Sequence, residues 1–419
     1  MILQGESYRP RASRGVAAAI TGCAAFLVFA VPAFAAPSAD DIGKALAAAV
    51  AATGQATLTY GGATASGDGV TLSDVKIVEV VPPPAPPAAP APAKTESGAA
   101  APAATPVVPP PPPTSVSIPA LVFSGVAARS GGGFTATHLE LDNGTSTARR
   151  EQMTWTTAGL DTVVVPSAAE VTARAKVRPF AAFAAAGITI SGKRFATPVT
   201  LASASGTIGD IAAPGPAAVH WEAHGLKLSP ALLANSYVGA FITMLNYDSV
   251  DADMVFDGAW DTAADAMTLT SFSIGAPDMG KVTVSGKVSG FSVRGLSDPA
   301  KAKDARAAAK LDQVTLRLDN SGFVEHMLDM QAQMLGGTRD DVRTQITTAA
   351  LPFFLGFVKN AAFRDQAQKA LDDFLANPHS LTITAAAPQP VPLGDAMHAA
   401  LHAPGTIPDL LGLSVTANN

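Results

Sequence analysis

From Val250 to Asp261 the side chains alternate without a break. Val250, Ala252, Met254, Phe256, Gly258 and Trp260 fall on one side, and Asp251, Asp253, Val255, Asp257, Ala259 and Asp261 on the other. Strict period two over that length dictates an extended strand with one apolar and one wetted face, because successive strand side chains point to opposite faces. A second strand is expected near Met267–Ile274. A third comes after it, in which Val282, Val284, Gly286 and Val288 alternate with Lys281, Thr283, Ser285, Lys287 and Ser289. Val314, Leu316 and Leu318 alternate in the same way. Consecutive strands of this pattern make an antiparallel meander with one face toward a core.

After Asn320 the period changes. Phe323, Met327, Met330 and Met334, with Val324, Leu328 and Leu335, form a stripe at helical spacing. Gly336-Gly337 ends it. Thr338 with Asp341 reads as a capping box. It opens a helix through Val342, Ile346, Leu351, Phe353, Phe354, Phe357 and Val358 that continues to Phe374, with a kink expected at Pro352. Asn377-Pro378 stops it. Ser380–Ala385 is a strand, Asp395–His402 a short helix and Leu413–Ala417 a closing strand. The fold class expected is α+β. It is a long, twisted, mostly antiparallel sheet with C-terminal helices packed on its apolar face.

The N-terminus speaks to compartment. Arg9, Arg11 and Arg14 precede an almost wholly apolar run, Gly15–Val31, and Ala33-Phe34-Ala35 has the small-x-small form of a cleavage site. This is the layout of an export signal spanning 1–35 and places the mature chain in a bacterial periplasm. Two alternatives stand beside it: Ile20-Thr21-Gly22-Cys23 resembles a lipobox, and an uncleaved run is nearly long enough to span a membrane. Cys23 is the single cysteine, so a chain cleaved after Ala35 has no disulfide, thiolate metal site or cysteine nucleophile. No later apolar run reaches spanning length; Ala349–Val358 is too short and contains Pro352.

Residues 36–81 are expected to hold a helix, opened by Ser38-Ala39-Asp40-Asp41 and closed by Gly54, then strands Ala56–Tyr60 and Val70–Val80. Residues 82–113 form a Pro/Ala-rich tract with 14 of the chain's 33 prolines. Such a composition buries too little apolar surface to offset its ordering entropy. Strands flank it, so it reads as an insertion in a β-hairpin, either inert or a docking segment for an envelope partner. Residues 114–320 are β-rich, and 321–419 are helical with closing strands.

Charge excludes one class: Lys+Arg 28 against Asp+Glu 34 gives −6, the wrong balance for gripping phosphates. Few motifs carry chemistry. His220 and His224 are four apart in a strand-like stretch, which separates them by about 13 Å. His398 and His402 are four apart on a short helix and are the weak metal candidates, with Asp395 the only nearby carboxylate and no Glu after the first His. Gly187 to Gly192-Lys193-Arg194 misses the Ser/Thr of a phosphate loop and is β-favouring. The Asp251/Asp253/Asp257/Asp261 series lacks the glycine of a calcium loop. There is no Gly-x-Ser-x-Gly elbow. No cofactor is expected, and the chain reads as non-enzymatic; a metal-dependent hydrolase using His398 and His402 is the least favoured alternative.

Gly225-Leu-Lys-Leu, Tyr247–Asp261, and Met267-Thr-Leu-Thr-Ser-Phe-Ser-Ile followed by Gly280-Lys-Val-Thr-Val-Ser-Gly resemble the AsmA-like β-groove proteins of the Gram-negative envelope. The resemblance covers less than a quarter of the chain. It implies an elongated antiparallel sheet that shelters lipid. The expected function is therefore an exported envelope protein holding lipid or another apolar ligand between sheet and helices. Its candidate lining residues are Met254, Phe256, Trp260, Phe323, Met327, Met330, Met334, Phe353 and Phe357. The same residues equally suit a filled core.

Overall fold

The computed structural model describes residues 38–80, 113–290 and 301–419, apart from residues 149, 174, 176, 194, 196, 213–214, 234–236 and 246. The expected export signal, Cys23 and nearly all of the Pro/Ala-rich tract lie outside the described residues. The first helix, α1 (Ala39–Ala52), is capped by Ser38, whose hydroxyl accepts the Asp41 N–H at 3.2 Å. Asp40 and Asp41 sit in its first turn, where the helix dipole favours them. Ile42, Leu46, Ala49 and Val50 recur at helical spacing and are all buried. Gly54, at φ 68°, lets the chain turn away.

Strands β1 (Ala56–Thr59), β2 (Gly62–Ser66) and β3 (Gly69–Glu79) come next, then β4 (Ser115–Ser124). β2 is not legible in the sequence, being short and mostly exposed. β3 and β4 pair antiparallel up to Val78↔Ser115, so the Pro/Ala-rich tract joins two adjacent strands. The sheet continues through β5 (Ala127–Ala128), β6 (Phe134–Glu140), β7 (Thr145–Ala148), β8 (Glu151–Thr154) and β9 (Thr157–Val165). The short helix α2 (Ala168–Thr172) has a complete capping box between Ser167 and Glu170.

β10 (Ala182–Gly192) contains Gly187–Gly192, the first part of the segment compared above with a phosphate loop. Gly187, at φ 64°, sits where β10 changes partner from β9 to β8. β11 (Val199–Ile208), the two-residue β12 (Ile211–Ala212) and β13 (Gly215–Pro216), and β14 (Ala218–Leu228) come next. Two short helices, α3 (Pro230–Leu233) and α4 (Tyr237–Met244), succeed them. Then β15 (Val250–Asp261), β16 (Ala266–Ala276) and β17 (Gly280–Ser289) form the antiparallel meander that the alternation predicts. After α5 (Ala302–Ala308), β18 (Lys310–Asn320) pairs with β17.

The C-terminal part has α6 (Phe323–Leu335), α7 (Arg339–Gln345), α8 (Leu351–Leu355), α9 (Ala361–Ala376), β19 (Ser380–Ala385), β20 (Val391–Pro392), α10 (Leu393–His402), α11 (Ile407–Leu411) and β21 (Leu413–Ala417). The single kinked helix expected from Thr338 to Phe374 is corrected here. A π-helical turn, Ile346–Ala350, separates α7 from α8. Pro352 has no N–H to give to the carbonyl four residues back, and the wider turn absorbs the mismatch. The helix stops at Leu355, and Asn360 caps a new one by accepting the Phe363 N–H at 2.9 Å.

All strands except β12 and β13 belong to one antiparallel sheet, so the α+β class holds. Its main core is N-terminal. There α1 packs Ile42, Leu46 and Val50 among Leu72, Val75, Phe123, Phe134, Leu139 and Val163. Smaller cores lie under the C-terminal helices. Val324, Leu328 and Phe374 pack with Leu318, Leu381 and Ala417. Leu355, Ala367 and Ala370 pack with Val415 and Ile383. The helices therefore cover the last strands of the sheet directly.

Candidate functional site

Directly opposed residues of antiparallel strands point to the same face. Traced strand by strand, the register places one row across thirteen strands, from β3 to β21. It begins with Val70, Phe123, Leu139, Leu160, Phe183 and Gly206. It continues with Trp221, Phe256, Phe272, Val284, Leu316, Ile383 and Val415. A neighbouring row, Ala223, Met254, Ile274, Val282, Leu318, Leu381 and Ala417, runs beside it. Neither row contains a polar or charged side chain.

Burial changes along these rows. Phe123, Leu139 and Leu160 are 0%, 1% and 6% exposed, and Val415 at the far end is 6% exposed. Between them, Ile274, Val282 and Leu316 are 41%, 37% and 38% exposed. Trp221, Met254, Phe256, Phe272 and Val284 are only half-buried. Trp221 and Phe256 stack on each other at 6.2 Å, nearly parallel. Five strands, β14 to β18, thus present an apolar face to solvent over about 19 Å of sheet width, from four strand spacings of ~4.8 Å.

The opposite face is polar. Ser205, Glu222, Val255, Ser273, Thr283, Arg317, Thr382 and Thr416 form its row. His220 and His224 stand on it, each beside a carboxylate of β15: His220 with Asp257 at 3.7 Å, His224 with Asp253 at 3.5 Å. The pair is thus two separate cross-strand contacts. Lys227 adds a third with Asp251 at 3.4 Å. Gly225, at φ 65°, makes the bulge between Ala223 and Leu226, and its N–H donates to Asp253 at 2.8 Å. That bulge keeps Ala223 and Leu226 both on the apolar side while two residues intervene.

The sequence-derived lining candidates separate into three groups. Met254, Phe256 and Trp260 stand on the apolar side of the sheet, half-buried. Phe323 and Met327 are half-buried and pack against the α6 core with Leu318 and Leu381. Met330 is half-buried on the same helix. Met334, Phe353 and Phe357 are exposed at 62%, 65% and 63%. Trp221, Phe272, Ile274, Val282, Val284 and Leu316 complete the open face. The sequence offers them as strand residues, and extending the alternation across every strand would find them.

His398 and His402 lie on α10 with ring centroids 4.5 Å apart. Among the described residues, no group of three or more His, Cys, Asp and Glu is placed to hold a metal ion. A cleft of about 390 Å³ lies between α6, α7 and the end of α9, lined by Glu325, Leu328, Thr338, Arg339, Asp340, Arg343 and Leu375. Its cations are paired: Arg339 binds Asp329 at 2.8 and 2.5 Å, and Arg343 lies 3.5 Å from Asp340. The Arg339 hydrogen bonds hold the Asp329 carboxyl below its ordinary value. No described helix is long and apolar enough to cross a membrane.

A family model described as "uncharacterized protein" matches residues 273–418, from within β16 to one residue past β21. A search of curated proteins returns no match.

Proposed function

We propose that this chain is an exported, non-enzymatic envelope protein that holds lipid acyl chains or a similarly apolar ligand against the uncovered part of its sheet. One observation carries the reading. The long apolar row is sealed at both ends by helices, and it and its neighbour are left open over β14–β18, where Ile274, Val282 and Leu316 are each more than a third exposed. An apolar face of this extent marks an interaction site. Lipid chains suit it because the two rows offer no polar or charged side chain to orient a polar ligand. They also need no hydrogen bonds from the pleated backbone, whose own groups are engaged in the ladder. Export rests on the N-terminal charge and apolar pattern, and the non-enzymatic assignment on the missing nucleophile and cofactor motifs.

The ligand seat in this proposal is the open face rather than a space beneath the C-terminal helices, where Phe323, Met327 and Leu328 pack. The test is solvent extraction and native mass spectrometry of the full chain purified from membranes without harsh detergent. Phospholipid or fatty acid is expected to co-purify. Val284→Glu, with Leu316→Glu as a second variant, is expected to abolish it while the circular dichroism spectrum is unchanged. Ligand-free protein from a gentle purification, with no binding of a fluorescent fatty acid in either parent or variant, would overturn the proposal.

A further inference from the structure

The structure carries a second exposed apolar surface, on α8, whose geometry differs from the sheet face. We propose that α8 and the residue pair after it form a docking tip whose phenylalanines insert shallowly into the headgroup boundary of a lipid bilayer. The helix is two-sided. Leu351 and Leu355 turn inward on Val415 and Ile383. Phe353, Phe354 and Phe357 turn outward, 65%, 67% and 63% exposed. The outward rings are ordered against one another: Phe353 meets Phe354 at 5.6 Å and Phe357 at 5.4 Å, both edge-on. The π-helical turn Ile346–Ala350 contributes to this. One extra residue in a turn rotates the downstream helix by about 100°, which decides which side chains of α8 face out.

Charge placement selects the occupant. No charged residue lies between Arg343 and Lys359, and both residues that bracket the run are cations. Lys359 is exposed. Arg343 is paired with Asp340, so the exposed Lys359 is the flanking cation that matters; apolar rings beside a cation on a flexible stem match an acyl boundary beneath anionic headgroups. Size argues the same way. Three rings two-thirds exposed present roughly 400 Å², about half of the ~800 Å² per partner that a stable protein interface uses. A wedge that small is adequate for the edge of a bilayer. α8 sits over the end of the apolar rows, at Ile383 and Val415. Docking there would bring that end of the sheet to the membrane, although the tip stands whether or not the face carries lipid.

The experiment places one reporter on the tip of the full chain, Phe354→Trp, read as a difference from the parent with its three native tryptophans. Vesicles contain phosphatidylethanolamine and phosphatidylglycerol, with bromines at defined acyl depths. Binding alone is not the readout, because Gly15–Val31 is itself apolar enough to associate with vesicles. The introduced indole is expected to shift to the blue, to lose acrylamide access, and to be quenched most by shallow bromines. Adding Phe353→Ser and Phe357→Ser should remove all three effects; Lys359→Glu should weaken them without touching the helix interior. An indole still open to acrylamide on vesicle-bound protein would overturn the proposal. Shielding that grows with protein concentration in the absence of lipid would do so too, by assigning the tip to a second copy. Lipid recovered by extraction from the sheet face is read separately, so either proposal can fail without the other.

Discussion

One end of the long apolar row and its middle make the clearest contrast in this molecule. Phe123 and Leu139 are directly opposed on neighbouring strands and are sealed from water. Phe272 and Val284 are opposed in the same way, in the same row, and are half-buried. Strand chemistry does not separate them, since both regions alternate apolar with polar. The difference lies in the partner layer. α1 lies across the N-terminal strands with Ile42, Leu46 and Val50, and the C-terminal helices lie across β19 and β21. Between them, Ile242 of α4 packs on the ends of β14, β15 and β16, with Leu226, Val250, Ala252 and Ala276. A patterned face is thus a requirement for a cover, and the cover is a separate structural fact.

The largest expected effect comes from that contrast. Phe123→Ala removes a ring that also packs edge-on against Phe134 at 5.3 Å. It should cost about 3–5 kcal/mol, by lost burial plus the cavity left behind. Phe272→Ala should cost about 1 kcal/mol or less, because its ring is already part-solvated and leaves no closed cavity. Urea denaturation with amide exchange resolved by segment measures both. Equal costs would mean that the middle of the sheet is covered, and the comparison would break.

A second effect tests how firmly the closed end is closed. Arg129 is 4% exposed, and its guanidinium donates to the Val165 carbonyl at 3.0 Å and to Glu170 at 2.9 Å. Its Nε is buried without a partner. Burial pushes the guanidinium below its ordinary value, against the pull of Glu170, but far too little to discharge it near neutrality. Burial also works to raise Glu170, yet the Ser167 N–H and Arg129 outweigh it and hold that carboxyl below the usual range. The sign is that of a depressed acid. Its stabilisation is full above the unfolded value, near 4.3, and is lost as pH falls through the folded value. Arg129→Ala should cost about 3 kcal/mol, since it removes a buried side chain together with its bonds to Glu170 and to the Val165 carbonyl. Glu170→Gln should flatten the acid limb of the stability profile below pH 5. An unchanged limb would remove this pair as the acid-sensitive clasp, and the polar face of the open region would have to supply it.

How much of this is legible in the sequence depends on the kind of information. The alternation at Val250–Asp261 sets its strand and its apolar side, because period two is a local property of the chain. The caps at Ser38, Ser167 and Thr338 set helix starts for the same reason. Register is different: that Phe256 opposes Phe272 on one side and Trp221 on the other depends on the bulges at Gly225 and between Asp257 and Gly258, which alternation within one strand does not encode. The break after Leu355 is marked by Gly356 and by Asn360 as a cap, but the continuous apolar spacing of Val342–Phe374 outweighs them in a reading of pattern alone. Phe323 and Phe357 look alike in the sequence, as aromatic residues at helical spacing. Tertiary packing sends one into the core and the other into solvent, and only the position of β19 and β21 decides which.

The smallest effect concerns the tract between β3 and β4, at the closed end. Replacing Pro82–Pro113 by a short turn shortens the connection between Val78 and Ser115 without touching their pairing. Loop-closure entropy alone then favours the deletion, by roughly 1–2 kcal/mol for three halvings of loop length at ~0.6 kcal/mol each. The expected outcome is a slightly higher urea midpoint, with unchanged binding of an apolar dye. A rise in dye binding would mean that the tract shields part of β14–β18, so that the open and closed regions differ in the kind of cover and not in whether they are covered. Loss of an envelope partner from pull-downs, at unchanged or raised stability, would instead assign the tract to docking and leave the contrast between the end and the middle of the row intact.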